Sequence, residues 1–177
     1  DLFLGEVLSI PVERYSENLD ARIMPSVVFF RGNITPRAIG RDVLDFSSSS
    51  ESERRFIIKS VKRNLIEDRG CFINEEDIKE KAATVIMTEL LRRAVEYLEE
   101  QGYAYSFPKI CLPVPTMADQ IEVDRLVSCC ENALRELGIQ EPQIQTVDES
   151  YAALFYFCKY QSSISDFSDG DRILMYD

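Results

Sequence analysis

The sequence contains no histidine, and that absence removes a large block of chemistry. Ser-His-Asp and Cys-His nucleophilic centres, histidine-ligated zinc or haem, and a histidine pH switch are excluded. Glycine is scarce, with seven in 177 residues and none beside another. Neither GxxxxGK[ST] nor GxGxxG occurs, so no P-loop and no Rossmann phosphate cradle is encoded in this segment. Positive charge is in deficit: 20 Lys and Arg face 31 Asp and Glu, for a net charge of -11. Phosphate backbones and anionic membrane surfaces repel such a chain, which argues against nucleic acid or membrane as a partner. No apolar run approaches the ~20 residues of a membrane span, and no charged-then-apolar signal peptide opens the chain.

The five cysteines (Cys71, Cys111, Cys129, Cys130 and Cys158) include no CxxC pair. An odd, scattered set reads as reduced, buried thiols in a cytoplasmic compartment. A catalytic cysteine would need an activating cation; no histidine can supply one, which leaves a lysine or a helix N-terminus, and no pattern in the sequence points to either.

What is present looks globular. Hydrophobic residues make up 45% and charged residues 29%, and the length suffices to bury a core. There is no internal repeat and no composition break. The low-complexity patch Ser47 to Ser50 reads as a flexible loop or as the cap of a following helix. Before it, Val7 to Val12 reads as a strand. Val27-Val28-Phe29-Phe30, Arg31-Gly32-Asn33 and Ile34 onward read as a hairpin, with Pro36 placing the return strand at an edge.

After the patch, Ile57, Val61 and Leu65 recur at i, i+4 and i+8 and predict a helix, with Arg55, Lys59, Lys62 and Arg63 on another face. A second helix is expected from an Asn74 cap to Gly102, and a third from Asp119 to Gly138. A shorter one covers Ser150 to Tyr160. Lys109 to Val114, Ile144 to Val147 and Arg172 to Tyr176 read as strands between and after them. This α-β-α-β-α-β order predicts a parallel sheet, whose ligands gather at the carboxyl ends of strands. Asp148 with Glu149, and Asp177, stand at two such ends.

Two readings of these residues stay open. Asp148 and Glu149 either hold a hydrated Mg²⁺ or activate water, or they cap the helix at residue 150. The cationic stripe either neutralises phosphate or is a solvated helix face. The aromatic cluster Tyr151, Phe155, Tyr156, Phe157 and Tyr160 reads as core packing rather than as a base-stacking surface.

Several segments resemble, in order, the actin-like ATPase domain of the seventy-kilodalton heat-shock chaperones. Pro25 to Phe30 is similar to the family's "PS-hydrophobic" strand, and Ile39-Gly40-Arg41-Asp42-Val43 to the "hydrophobic-G-x-x-A" segment after it. Ser60 to Ile66 resembles the "x-x-K-R-x-hydrophobic" helix with the family's catalytic lysine. Ile110 to Pro115 resembles "VITVPA", and Val147-Asp148-Glu149-Ser150-Tyr151-Ala152-Ala153-Leu154 resembles "INEPTAAA". Gly170 to Asp177 is similar to the strand entering the second phosphate loop.

The resemblance implies an α/β fold, a mixed sheet flanked by helices. This is one ribonuclease-H-like, actin-like ATPase lobe over residues 1–177, with a small α+β subdomain inserted over about 20–105 and the core α/β part over 106–177. Because the chain opens on Asp1 without Met and stops at Asp177, the lobe is expected to belong to a longer protein. It implies ATP or ADP with Mg²⁺ bound between two lobes, and a protein client or co-chaperone as partner. Carried over, Lys62 stabilises phosphate charge, with Lys59 as the competing assignment. Glu149 positions the attacking water, and Asp177 holds water around Mg²⁺. Asp1 is the candidate first-loop aspartate, although Leu2 to Gly5 departs from the family's D-hydrophobic-G-T-T/S pattern. Ser150 replaces the family's proline. A non-catalytic interaction module of the same fold, and a sugar or acetate kinase lobe, are the alternatives.

Overall fold

The computed structural model describes residues 10–12, 23–32, 34–46, 51–104, 109–139 and 143–156. It is a mixed α/β arrangement of helices and small sheets. The expected hairpin is present: β1 (Val27–Arg31) runs antiparallel to β2 (Thr35–Ile39), and a register shift between Phe29 and Phe30 sets Phe30 opposite Pro36. On its other side β1 pairs with β3 (Ile57–Lys59), so the sheet order is β2-β1-β3. Pro36 therefore lies on a strand paired on one side among the described residues, where its missing N–H is tolerated.

Central β1 is buried on both faces, which explains its unbroken apolar run in place of an alternating one. Val28 and Phe30 enter a core with Ile58, Val61, Leu65, Ala82, Leu126 and Cys129. Val27 and Phe29 face the other way, toward Ala38 and Val43. Phe46, Phe56 and Ile57 pack against that second cluster, and the Arg37 guanidinium lies 5.0 Å from the Phe46 ring centroid. Helix α1 (Asp42–Asp45) follows β2, and α2 (Glu51–Arg54) leads toward β3.

Here the expected helix through Ile57, Val61 and Leu65 is corrected. Ile57–Lys59 is strand, and only α3 (Val61–Ile66) is helical. Ser60 breaks the two apart in a left-handed conformation with φ 52°. The spacing fits a helix by coincidence: Val61 and Leu65 enter the core cluster with Ile58, whereas Ile57 packs against the second cluster. Hydrogen bonding to β1 overrides the local period.

Asn74 is not a helix cap either. Asn74 (φ 51°) and Glu75 (φ 70°) form the two-residue turn between β4 (Phe72–Ile73) and β5 (Glu76–Asp77), as a type I′ hairpin requires. The Asn74 side-chain amide donates to the Gly32 carbonyl at 2.8 Å. Helix α4 (Lys79–Glu100) begins only after this hairpin and ends before Gly102, whose φ of 72° suits a helix terminus.

Strand β6 (Lys109–Val114) and strand β7 (Gln143–Asp148) pair in parallel, Lys109 opposite Gln143 through Val114 opposite Asp148. Between them runs α5 (Gln120–Glu136), and α6 (Glu149–Tyr156) follows β7 directly. The predicted α5 boundaries hold. Asp119 and Glu122 make a reciprocal capping box, and Gly138 has φ 71°. Among the described residues, parallel and antiparallel pairing occur in separate sheets. No helix among them is long and apolar enough to cross a membrane. Of the expected strand Val7 to Val12, only residues 10–12 are described and they carry no strand. The Arg172 to Tyr176 strand lies outside the described residues.

Candidate functional site

The turn at Ser60 ends β3 and starts α3, which puts Lys62 in the first turn of that helix. Glu149 is the first residue of α6, immediately past the carboxyl end of β7. The fold brings the two together across 87 positions, and the Lys62 ammonium donates to Glu149 Oε1. Their side chains retain 43% and 37% exposure, so the pair is reachable from solvent. Burial of the lysine stem pushes the Lys62 ammonium below its ordinary value, while the adjacent carboxylate favours the charged form.

The two adjacent carboxylates separate in role. Asp148 Oδ1 accepts from the backbone N–H of Ser150 at 2.8 Å and of Tyr151 at 3.2 Å, so it caps α6. A hydrogen bond from the Thr116 hydroxyl, together with those amides, holds the Asp148 carboxyl below its usual range. Thr116 Oγ1 also lies 3.1 Å from Ser150 Oγ, tying the β6–α5 connection to the first turn of α6. The capping alternative thus describes Asp148, and Glu149 is left to meet Lys62.

The cationic stripe does not exist as one helix face. The Arg55 guanidinium covers the Phe56 ring at 4.7 Å, and Arg63 pairs with Glu67 at 2.8 Å. Lys59 is exposed on β3, opposite Val27, and the cation on Glu149 is Lys62. Of the competing lysines, the structure places Lys62 in the pair.

A cavity of about 270 Å³ adjoins Lys62. Apart from Lys62 and Ser26, its walls are apolar, with Leu65, Met87, Leu112 and Leu126 among them. Such walls match no phosphate oxygen, whereas the exposed Lys62–Glu149 side offers a cation and a carboxylate. Asp1 and Asp177 lie outside the described residues. Among the described residues, no group of three or more Cys, Asp and Glu could hold a metal ion.

The thiols fit inert packing. Burial pushes Cys129 and Cys130 up to about 11 and also raises Cys71. Cys111, by contrast, is exposed on β6. The expected aromatic core on α6 is corrected: Tyr151 and Phe155 are exposed, because α6 turns that face outward. Cys158, Phe157 and Tyr160 fall outside the described residues.

Sequence reasoning missed two contributors, Ser26 and Thr116. Ser26 sits in the "PS-hydrophobic" segment with nothing local to mark a role, because its partners are on α3. No family model matches this chain, and no curated protein or solved structure matches it.

Proposed function

We propose that this chain is the first lobe of an actin-like ATPase resembling the seventy-kilodalton heat-shock chaperones, acting in the cytoplasm on a protein client or with a co-chaperone. One observation carries the reading. Two motifs far apart in sequence assign Lys62 to phosphate charge and Glu149 to the attacking water, and those two side chains touch. Their placement at the end of a parallel strand fits the region where α/β sheets gather ligands.

ATP with Mg²⁺ would supply the phosphoryl group and part of the charge neutralisation. The chain's own residues do the rest. In this reading the Lys62 ammonium stabilises negative charge that grows on phosphate oxygens during transfer. The Glu149 carboxylate accepts a hydrogen bond from a water and fixes its approach. In the resting protein each group neutralises the other, which avoids leaving a half-buried charge unpaired. The Asp148 cap and the Thr116–Ser150 contact hold the start of α6, and with it Glu149, in place.

The test is Mg-ATP turnover by the full-length protein carrying Lys62→Ala. Loss of a preorganised charge-stabilising group predicts a fall of about 10²–10³-fold with the fold retained. Unchanged turnover would remove Lys62 from the mechanism. Absence of Mg-ATP binding in the unmutated full-length protein would favour a non-catalytic interaction module of the same fold.

A further inference from the structure

Helix α3 carries Lys62 but supplies no cap of its own. Ser60, at the N-cap position, is left-handed and its side chain makes no capping hydrogen bond. The first amides of a helix have no partner within it, so they need one from elsewhere. Ser26 provides that partner twice. Its carbonyl accepts from the Val61 N–H at 3.3 Å, and its hydroxyl oxygen accepts from the Lys62 N–H at 3.2 Å. Ser26 lies 36 positions before Lys62, immediately ahead of β1. The strand that leaves it is the most deeply buried among the described residues, with Val28 and Phe30 at 0% exposure.

We infer that Ser26 is the positioning residue for Lys62. It caps α3 from another element, and so ties the lysine backbone to the rigid centre of the β2-β1-β3 sheet. A lysine stem has four rotatable carbons, so its ammonium meets Glu149 reproducibly only if the Cα is held. A six-residue helix with an uncapped, left-handed start does not hold it alone. Ser26 and Lys62 also share the rim of the apolar cavity, which confines the stem on the inner side. The consequence for turnover rests on the ATPase reading above. The consequence for Lys62 itself does not.

The experiment therefore has two arms. In the first, trace acetylation with acetic anhydride is read by mass spectrometry at Lys62, with exposed Lys59 as internal reference. In the unmutated protein Lys62 should react several-fold more slowly than Lys59. Ser26→Val, which removes the hydroxyl, should abolish most of that difference. Ser26→Thr, which keeps the hydroxyl in nearly the same shape, should preserve it. Equal protection of Lys62 in the Val and Thr variants would overturn the inference. Should either variant fail to fold, amide hydrogen exchange on the unmutated protein decides: the Val61 and Lys62 amides should be protected although they belong to a first helical turn, and free exchange would overturn the inference. In the second arm, Ser26→Val should lower kcat for Mg-ATP while KM stays near the unmutated value. Lost Lys62 protection with unchanged kcat would break the ATPase reading and leave the positioning role of Ser26 standing.

Discussion

Helices α3 and α5 pack against each other, yet their ends are held by different kinds of partner. Helix α5 is closed by its own sequence. Asp119 accepts from the Glu122 amide at 2.9 Å, the Glu122 carboxylate accepts from the Asp119 amide at 2.8 Å, and Gly138 ends the helix at φ 71°. Helix α3 is started by another element. Ser26 takes its first amides, while its far end combines local bonds from the Glu67 and Arg69 amides to Arg63 and Asn64 with the Arg125 guanidinium of α5, which donates to the Leu65 carbonyl at 2.7 Å. The lesson concerns function. The helix that carries the candidate catalytic lysine takes its first amide partners from another element, so the backbone of Lys62 is placed by the assembled fold rather than by its local sequence.

The comparison can be broken first in the core the two helices share. Leu65 on α3 is fully buried, and Leu126 on α5, in the same cluster, retains 4% exposure. Either Leu→Ala should cost about 2–5 kcal/mol by denaturant unfolding, since both remove a close-packed side chain. A loss under about 1 kcal/mol at Leu65 would mean that α3 is not anchored as described.

A smaller effect sharpens the contrast at the helix starts. Asp119→Ala should lose about 1 kcal/mol, because it removes half of a capping box. Ser60→Ala should change stability by less than about 0.5 kcal/mol, because the Ser60 side chain caps nothing. Equal losses in the two variants would erase the distinction between self-capped and borrowed ends.

The smallest effect is read against pH at α6, which is capped by Asp148 in the manner of α5. The folded Asp148 carboxyl lies below its ordinary 3.8. Its contribution is thus fully present above that unfolded value, and it is lost as pH falls through the lower folded value. Thermal melting followed from neutral to acidic pH should show Asp148→Asn with a shallower acid decline than the unmutated protein. Parallel acid limbs would contradict the cap.

These differences also explain what the sequence made legible. The limits of α5 were readable because their determinants are three residues apart at one end and one glycine at the other. Strands β6 and β7 were readable from short apolar runs bounded by turns, and their parallel pairing followed from the helix between them. The start of α3 was hidden because Ile57, Val61 and Leu65 fit a helical period by coincidence, while the edge of β1 captures Ile57–Lys59 as a strand. Asn74 has the chemistry of a cap and equally that of a left-handed turn, and the β4–β5 hairpin takes it for the latter. Lys62 and Glu149 were singled out by separate motif resemblances, and nothing in the sequence between them announced their contact. The division of labour between Asp148 and Glu149 depends on where the first turn of α6 directs its amides. Ser26 lay inside a recognised segment that gave it no role, since that role exists only once β1 and α3 have met.

The central claim is that Lys62 and Glu149 act as one unit in phosphate chemistry. Its most direct test is a turnover cycle in the full-length protein with Lys62→Ala, Glu149→Gln and the double variant, each shown to be folded. Residues that serve one transition state are strongly non-additive, so the double variant should be little slower than the slower single variant. Losses that multiply independently, or single variants that turn over Mg-ATP at the unmutated rate, would contradict the account.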